Sequence, residues 1–401
     1  MRALVTKSLI VALGMIAPNI GRAAEPVKIG AALELSGRFV AFGSHCKRGI
    51  EMASGVLKRE IPDTPIDFVF HDVESNAAST VSAFAQMTTE EKLDFIIGPI
   101  ASPIVSSAIP AWRQTKPIWI VPGASTVTLE KEIGSDLNLF HAFPYAYQYH
   151  VEISEMLKES VSPKTISIIY SDDDYGRTHL PLAESYLKRA GFNIVSEEIV
   201  RTNSADMNSA LTKIAFAKPE ALLALMQTTD SITLAKQVYT RRLKVQYLIG
   251  TFATQLKEWQ DAVGAAQEGW TGLASYLPDL ANYPANKEFP KLLPTTHEWE
   301  AAFRAQYAQE PNYDDALCYS LAAAMAIAVK KAGSGDKNRV AQALRDLDIN
   351  TVYGHLKWTP TEGGTKQNAF DNLIIFQRQG GKSVTVFPLD VATGKLQPVQ
   401  R

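Results

Sequence analysis

Two short stretches place hydroxyls where a small anion can be held. In Gly98-Pro99-Ile100-Ala101-Ser102 and in Pro122-Gly123-Ala124-Ser125, a serine ends a run of small residues that follows an apolar, β-type segment. Residues this small let backbone N–H groups come close to a ligand, and the serine adds a hydroxyl donor. Where such a serine opens a helix, the partial positive charge of that terminus favours an anion, so Ser102 and Ser125 suit a carboxylate without any Lys or Arg. Either serine alone reads equally as a plain N-cap. Phe42, just ahead of an expected helix start, and Tyr175, in the corresponding loop of a second unit, are placed to cover such a ligand, although a loop aromatic is as often explained by local packing. Asp172-Asp173-Asp174 lacks the glycine and terminal glutamate of a calcium loop and reads as a solvated loop.

Other chemistries find little support. There is no Gly-x-Ser-x-Gly elbow, no phosphate-binding Gly-x-x-x-x-Gly-Lys-Ser/Thr and no dinucleotide fingerprint after the first strand. The seven histidines form no His-x-x-x-His pair, and the two cysteines no Cys-x-x-Cys, so no metal site is expected. Cys46 shares an apolar stripe with Ile50, Ala53 and Leu57, and Cys318 shares another with Leu321 and Met325. Both therefore read as buried thiols acting as small hydrophobes, although an exported chain permits a disulfide.

The elements that must carry these loops are legible from alternating patterns. Strands are expected at 27–33, 66–71, 94–98 and 117–121, with helices from Gly43-Ser44 and over 76–88. After a loop at 141–147 the pattern restarts, with strands at 165–170, 192–200, 221–226 and 245–250. Helices are expected at 180–190 and 232–242, with one capped by Ser204. Two tandem α/β units mean two lobes, in keeping with 401 residues, too many for one ordinary core. Helices over 298–329 and 340–347, then β-rich 352–358 and 373–376, complete the chain.

Residues 1–23 have the form of an export signal. Arg2 and Lys7 precede an apolar run, Leu9 to Ile16, that is too short to span a bilayer, and Gly21-Arg22-Ala23 offers small residues before a cut after Ala23. The formal charge of -2 includes three leader cations, so the mature chain carries about -5, which disfavours nucleic acid as a partner.

Taken in order, VKIGAALELSGRFVAFGSHCKRGIEMA at 27–53, FIIGPIASPIVSSAIP at 95–110, PIWIVPGASTVTL at 117–129, ISIIYSDDDYG at 166–176 and GHLKWTPTEGG at 354–364 resemble the periplasmic branched-chain amino acid binding proteins of ABC transporters. The resemblance is colinear over essentially the whole mature chain. It implies the α/β type I periplasmic binding protein fold: two Rossmann-like lobes with parallel sheets, joined by a three-strand hinge. By it, 24–143 and 277–352 form the N-terminal lobe, and 144–276 and 353–401 the C-terminal lobe. The crossovers then lie near His141 to Tyr147, Gly272 to Tyr276 and Thr351 to Trp358. Carried over by motif, Ser102 and Ser125 hold a ligand carboxylate, Ala101, Gly123 and Ala124 line it, and Phe42 and Tyr175 cover the ligand. The implied protein is a periplasmic monomer without cofactor or enzymatic activity, which hands a small solute to a membrane permease.

Two departures bear on the solute. Phe252 stands where amino-acid-binding members of the family usually carry the acid that neutralises the ligand's ammonium, and Gln227-Thr228 replaces a usual aromatic. Arg38 stands at a position often proline and adds a charged donor at the cleft mouth. A buried ammonium without a counter-charge is strongly disfavoured, so an aromatic or aliphatic carboxylate or an amide competes with an amino acid as ligand, unless Asp230 or Glu34 supplies the charge. A ligand sensor of a signalling system, and less readily a periplasmic enzyme, are the alternative functions on this architecture.

Overall fold

Parallel strands need crossover connections, and here each crossover is a helix whose apolar face covers the sheet. The computed structural model describes residues 25–278, 282–359, 369–370 and 372–399; the expected leader lies outside the described residues. The first half runs β1 (Val27–Leu33), α1 (Val40–Glu60), β2 (Ile66–Asp72), α2 (Ala77–Ala85), β3 (Phe95–Ile97), α3 (Ser102–Thr115), β4 (Ile118–Val121), α4 (Val127–Ile133) and β5 (Leu139–His141). Its strands form one parallel sheet ordered β2-β1-β3-β4-β5.

The second unit runs α5 (Ala146–Ser160), β6 (Thr165–Ser171), α6 (Asp174–Arg189), β7 (Asn193–Val200), α7 (Asn208–Ala217), β8 (Ala221–Leu225), α8 (Thr228–Thr240), β9 (Tyr247–Ile249), α9 (Lys257–Val263) and β10 (Trp270–Ala274). Its parallel strands repeat the first order, as β7-β6-β8-β9-β10. In both sheets the order reverses beside the first strand of the unit. That switch point, at the strands' carboxyl ends, is where open α/β sheets bind ligands.

The chain then forms α10 (Thr296–Tyr307), α11 (Tyr313–Ala332) and α12 (Lys337–Arg345), and α11 packs along α1 of the first unit. Helix α11 is buried on nearly every side, which is why it is apolar all round. No single described helix is long and apolar enough to cross a membrane. β11 (Asp348–Asn350) and β12 (His355–Lys357) form a small antiparallel pair. Finally β13 (Ile374–Gln379) and β14 (Lys382–Phe387) add an antiparallel hairpin to the edge of the second sheet, making it seven-stranded. The Gly380-Gly381 turn of that hairpin has φ of +58° and +76°, values suited to glycine.

The structure corrects several expectations. Cys46 and Cys318 are joined in a disulfide, with Cα atoms 5.1 Å apart, because α1 and α11 bring the two apolar stripes face to face. Helix α1 starts at Val40, so Phe42 lies in its first turn and is buried rather than standing ahead of it. Helix α6 starts at Asp174, six residues earlier than expected, and tolerates Pro181 in its interior. The aspartate run is therefore no solvated loop: Asp173 caps α6 by accepting from the Gly176 N–H, at 3.0 Å. Such a cap contributes about 1 kcal/mol.

Candidate functional site

The carboxyl ends of the two sheets face one another, so the loops after β1, β3 and β4 meet those after β6, β8 and β9. Between them lies a cavity lined by all nine expected site residues: Phe42, Ala101, Ser102, Gly123, Ala124, Ser125, Tyr175, Gln227 and Phe252. Ile100, Phe143, Tyr149, Met226, Thr251, Ala253 and Tyr313 complete its wall, which contains no charged side chain. Its free space is narrow, about 30 Å³, so anything larger than a water or two must part the lobes or turn the aromatic walls. A larger cavity of about 550 Å³, bordered by Tyr276, Tyr283, Asn372 and Asp390, lies by the connections, away from every strand-to-helix loop named above.

One pole of the inter-lobe cavity is polar. Ser102 is the first residue of α3, is 1% exposed, and its Oγ has no protein partner. A buried hydroxyl left unpaired at a helix N-terminus is costly unless a ligand satisfies it. Ala124 has φ +65°, in the left-handed region, and the His141 Nε2–H donates to the carbonyls of Gly123 and Ala124 at 2.9 and 2.7 Å. Because trans peptides oppose N–H to C=O, the Ala124 and Ser125 amides turn away from His141. A Cβ on Gly123 would sit 2.5 Å from the Ile100 carbonyl oxygen, so only glycine lets the two serine loops approach this closely. The Ala101 amide, by contrast, is committed: it donates to Glu34 Oε1 at 2.9 Å, as Ile100 N–H does at 3.1 Å. Burial raises the Glu34 pKa to about 7 despite those amides, and the side chain is not part of the cavity wall.

The other pole is aromatic. The Phe252 ring lies 4.5 Å from Phe143, 5.0 Å from Tyr149 and 5.6 Å from Tyr313, centroid to centroid. The Tyr175 hydroxyl donates to Thr251 Oγ1 at 2.7 Å, fixing that ring against the loop before Phe252. Gln227, at the residue before α8, makes no capping hydrogen bond with its side chain and adds an amide to the wall. Asp230 is also taken, by Ser171 Oγ at 3.0 Å and the Asn203 N–H at 2.7 Å. Neither acid considered as a substitute counter-charge borders the cavity.

Several contacts cross between the lobes. Arg38 pairs with Asp173 at 3.1 Å and lies 4.0 Å from Asp230. Asp174 accepts from Ser106 at 2.8 Å and from Thr128 at 3.3 Å. His45 meets Glu258 at 2.6 Å. Burial alone would lower the His45 pKa, but the Asp314 and Glu258 carboxylates reverse this and raise it to about 9. Ser125 Oγ lies 2.7 Å from His179 Nε2, and His179 Nδ1 lies 3.0 Å from His150 Nε2. His179, Tyr149, Phe143 and Tyr313 were not expected from the sequence; the aromatic density of HAFPYAYQYH at 141–150 was the available signal for Phe143 and Tyr149.

The family model for periplasmic binding proteins matches residues 26–381. A Leu/Ile/Val-binding protein homolog of Brucella abortus is 26% identical over 406 residues, covering 97% of this chain and 98% of that one. Among solved structures, a leucine binding protein from Thermotoga maritima superposes with a TM-score of 0.78 at 18% identity, over 90% of this chain and 97% of that one. A solute binding protein from R. palustris in complex with benzoate gives 0.76 at 20% identity, over 93% and 97%.

Proposed function

The chain belongs to the periplasmic binding protein family, and on that premise we propose that it is the solute receptor of an ABC importer. It is exported by its leader, cleaved near Ala23, captures a small carboxylate between closing lobes, and presents the closed form to a membrane permease. Residues 24–143 and 277–352 act as one jaw and 144–276 with 353–401 as the other. Ligand contacts made only in the closed form drive closure.

The ligand we infer is a flat aromatic carboxylate rather than an amino acid. The observation that carries this is a cavity with a hydroxyl-and-amide pole, an aromatic pole and no charged side chain in its wall. Ser102 Oγ, Ser125 Oγ and the Ala124 and Ser125 amides receive the carboxylate, as charge-assisted donors. Phe42, Phe143, Tyr175 and Phe252 sandwich the ring. An α-ammonium would meet Phe252 where it needs an acid, at a cost of several kcal/mol. Both ligand classes occur in proteins of this fold: one similar structure is a leucine binding protein and another holds benzoate.

A thermal-shift screen of amino acids, aromatic acids and their amides tests this, since a ligand that binds only the folded state raises Tm. Aromatic acids are expected to raise it, and branched-chain amino acids to leave it unchanged. A shift from leucine and none from any aromatic acid would overturn the ligand class.

A further inference from the structure

A carboxylate closed into this cavity meets no cation. The wall holds no Lys or Arg, and the nearest guanidinium described above, Arg38, is already paired with Asp173 and Asp230. Hydroxyls and amides soften the cost of burying an anion, but a mobile proton removes it. Two buried imidazoles stand directly behind the serine pole: His179 touches Ser125 Oγ, and His150 touches His179. His150 Nδ1 is buried with no protein partner.

We propose that carboxylate binding is coupled to uptake of one proton by the His150–His179 pair, so that the ligand enters together with its counter-charge. This rests on the carboxylate reading above.

In the neutral pair, the His150 Nε2–H donates to His179 Nδ1, and the His179 Nε2–H donates to Ser125 Oγ. The Ser125 hydroxyl proton is then turned away from His179, toward the cavity that Ser125 lines. Each ring nitrogen is then satisfied except His150 Nδ1. A proton arriving there shifts the hydrogen-bonded proton from His150 Nε2 to His179 Nδ1. His179 becomes the imidazolium, separated from the carboxylate only by the Ser125 hydroxyl. No bond other than N–H changes, and solvent supplies the proton.

The surroundings leave both rings neutral before the anion arrives. Burial holds His150 down at about 3, and burial together with the His150 charge holds His179 well below its ordinary value. From α6, the Tyr175 ring lies 4.2 Å from His179, tilted against it, and Asp174 is engaged by Ser106 and Thr128. From α5, Tyr149 lies 5.0 Å from His179, and Glu152 is the nearest acid in sequence to His150. The serine loop contributes Ser125 and Thr126, the latter bonded to Thr178. On β13, which packs on α5, the one charged side chain is Arg378, bound to Gln267 and Ser383. Two other titratable groups stand behind the wall: Glu34 under Ala101, and His141 under Gly123 and Ala124. Neither touches a cavity hydroxyl, as His179 does.

Calorimetric titration of benzoate between pH 6 and 8, in buffers of differing ionisation enthalpy, counts the protons taken up. The expected result is about one proton per benzoate and a Kd that weakens about tenfold per pH unit above the free-state range. His179→Gln, which still offers Ser125 an N–H but cannot ionise, should bring the count to zero and flatten the pH dependence. Nitrogen-15 shifts of the histidine rings should show an imidazolium at His179 only when benzoate is bound. Tight benzoate binding with no proton uptake would overturn the coupling while leaving the carboxylate site standing. Uptake that persists in His179→Gln would overturn the assignment to this pair. Failure of benzoate and every other aryl carboxylate to bind wild type would overturn both.

Discussion

Arg38, in the loop after β1, and Asp173, the cap of α6, form a 3.1 Å ion pair that joins the two lobes. Both side chains are largely shielded, at 20% and 10% exposure, so the pair is held more firmly than an exposed one. On the proposed opening and closing of the lobes, it contributes only to the closed form and so biases the equilibrium toward it.

Arg38→Ala should therefore cost about 1–2 kcal/mol of closed form and weaken ligand affinity roughly tenfold. Small-angle scattering should show a larger radius of gyration for the ligand-free variant than for wild type. Asp173→Asn, which keeps an N-cap, should reproduce the effect. An unchanged affinity in both would show that the pair is incidental.

Reducing or removing the disulfide should lower stability without moving the site. Cys46 and Cys318 are 272 residues apart, so the cross-link restricts a very large loop in the unfolded chain. By loop entropy its loss costs up to about 5 kcal/mol, less whatever residual structure the unfolded chain keeps. Denaturant melts of the Cys46→Ala, Cys318→Ala double variant should show a lower midpoint, with ligand affinity retained in native buffer.

Stability should fall on the alkaline side. The His45 pKa is about 9 in the folded protein against an ordinary 6.5. Its contribution is thus complete below pH 6.5 and lost as pH rises through 9, as the folded state gives up the proton the unfolded state has already released. The total at stake is up to about 3 kcal/mol. Thermal melts across pH 6.5 to 9.5 should show this decline in wild type and a flatter profile in His45→Gln.

Phe252→Glu tests the ligand class from the protein's side. A carboxylate placed among Phe143, Tyr149 and Tyr313 repels an anionic ligand and offers a partner to an ammonium. Aryl carboxylate affinity should drop at least about tenfold, and leucine should gain relative to benzoate. Benzoate affinity unchanged by the added charge would place Phe252 outside the ligand's reach.

Much of this architecture was legible because its signals are local. Apolar runs of strand length ending in Gly, Ala, Pro and Ser located β3, β4 and the two serine loops. Gln227 and Phe252, at the ends of β8 and β9, came instead from the family resemblance, as positions where this chain departs from its pattern. Phe42 was placed near the site, but on the wrong side of a helix boundary, since Val40 and Phe39 carry no capping signal. The misses are non-local. Tyr313 comes from α11 and Tyr149 from α5, while His150 and His179, on α5 and α6, reach the site only through Ser125 of the other unit. The disulfide depends on how α1 and α11 pack, which spacing 272 residues apart does not encode. The closing hairpin did have a local signal, Gly380-Gly381 between alternating residues, that went unread.

In the proposed function, two serine hydroxyls in the first lobe grip an anionic solute. Calorimetric titration of benzoate and leucine into wild type and into the Ser102→Ala, Ser125→Ala variant tests it most directly. Wild type should bind benzoate and not leucine, and losing two hydrogen bonds to a charged group should weaken benzoate at least about a hundredfold. Benzoate bound equally well by the double variant, with its fold intact by circular dichroism, would show that the serines do not hold the carboxylate.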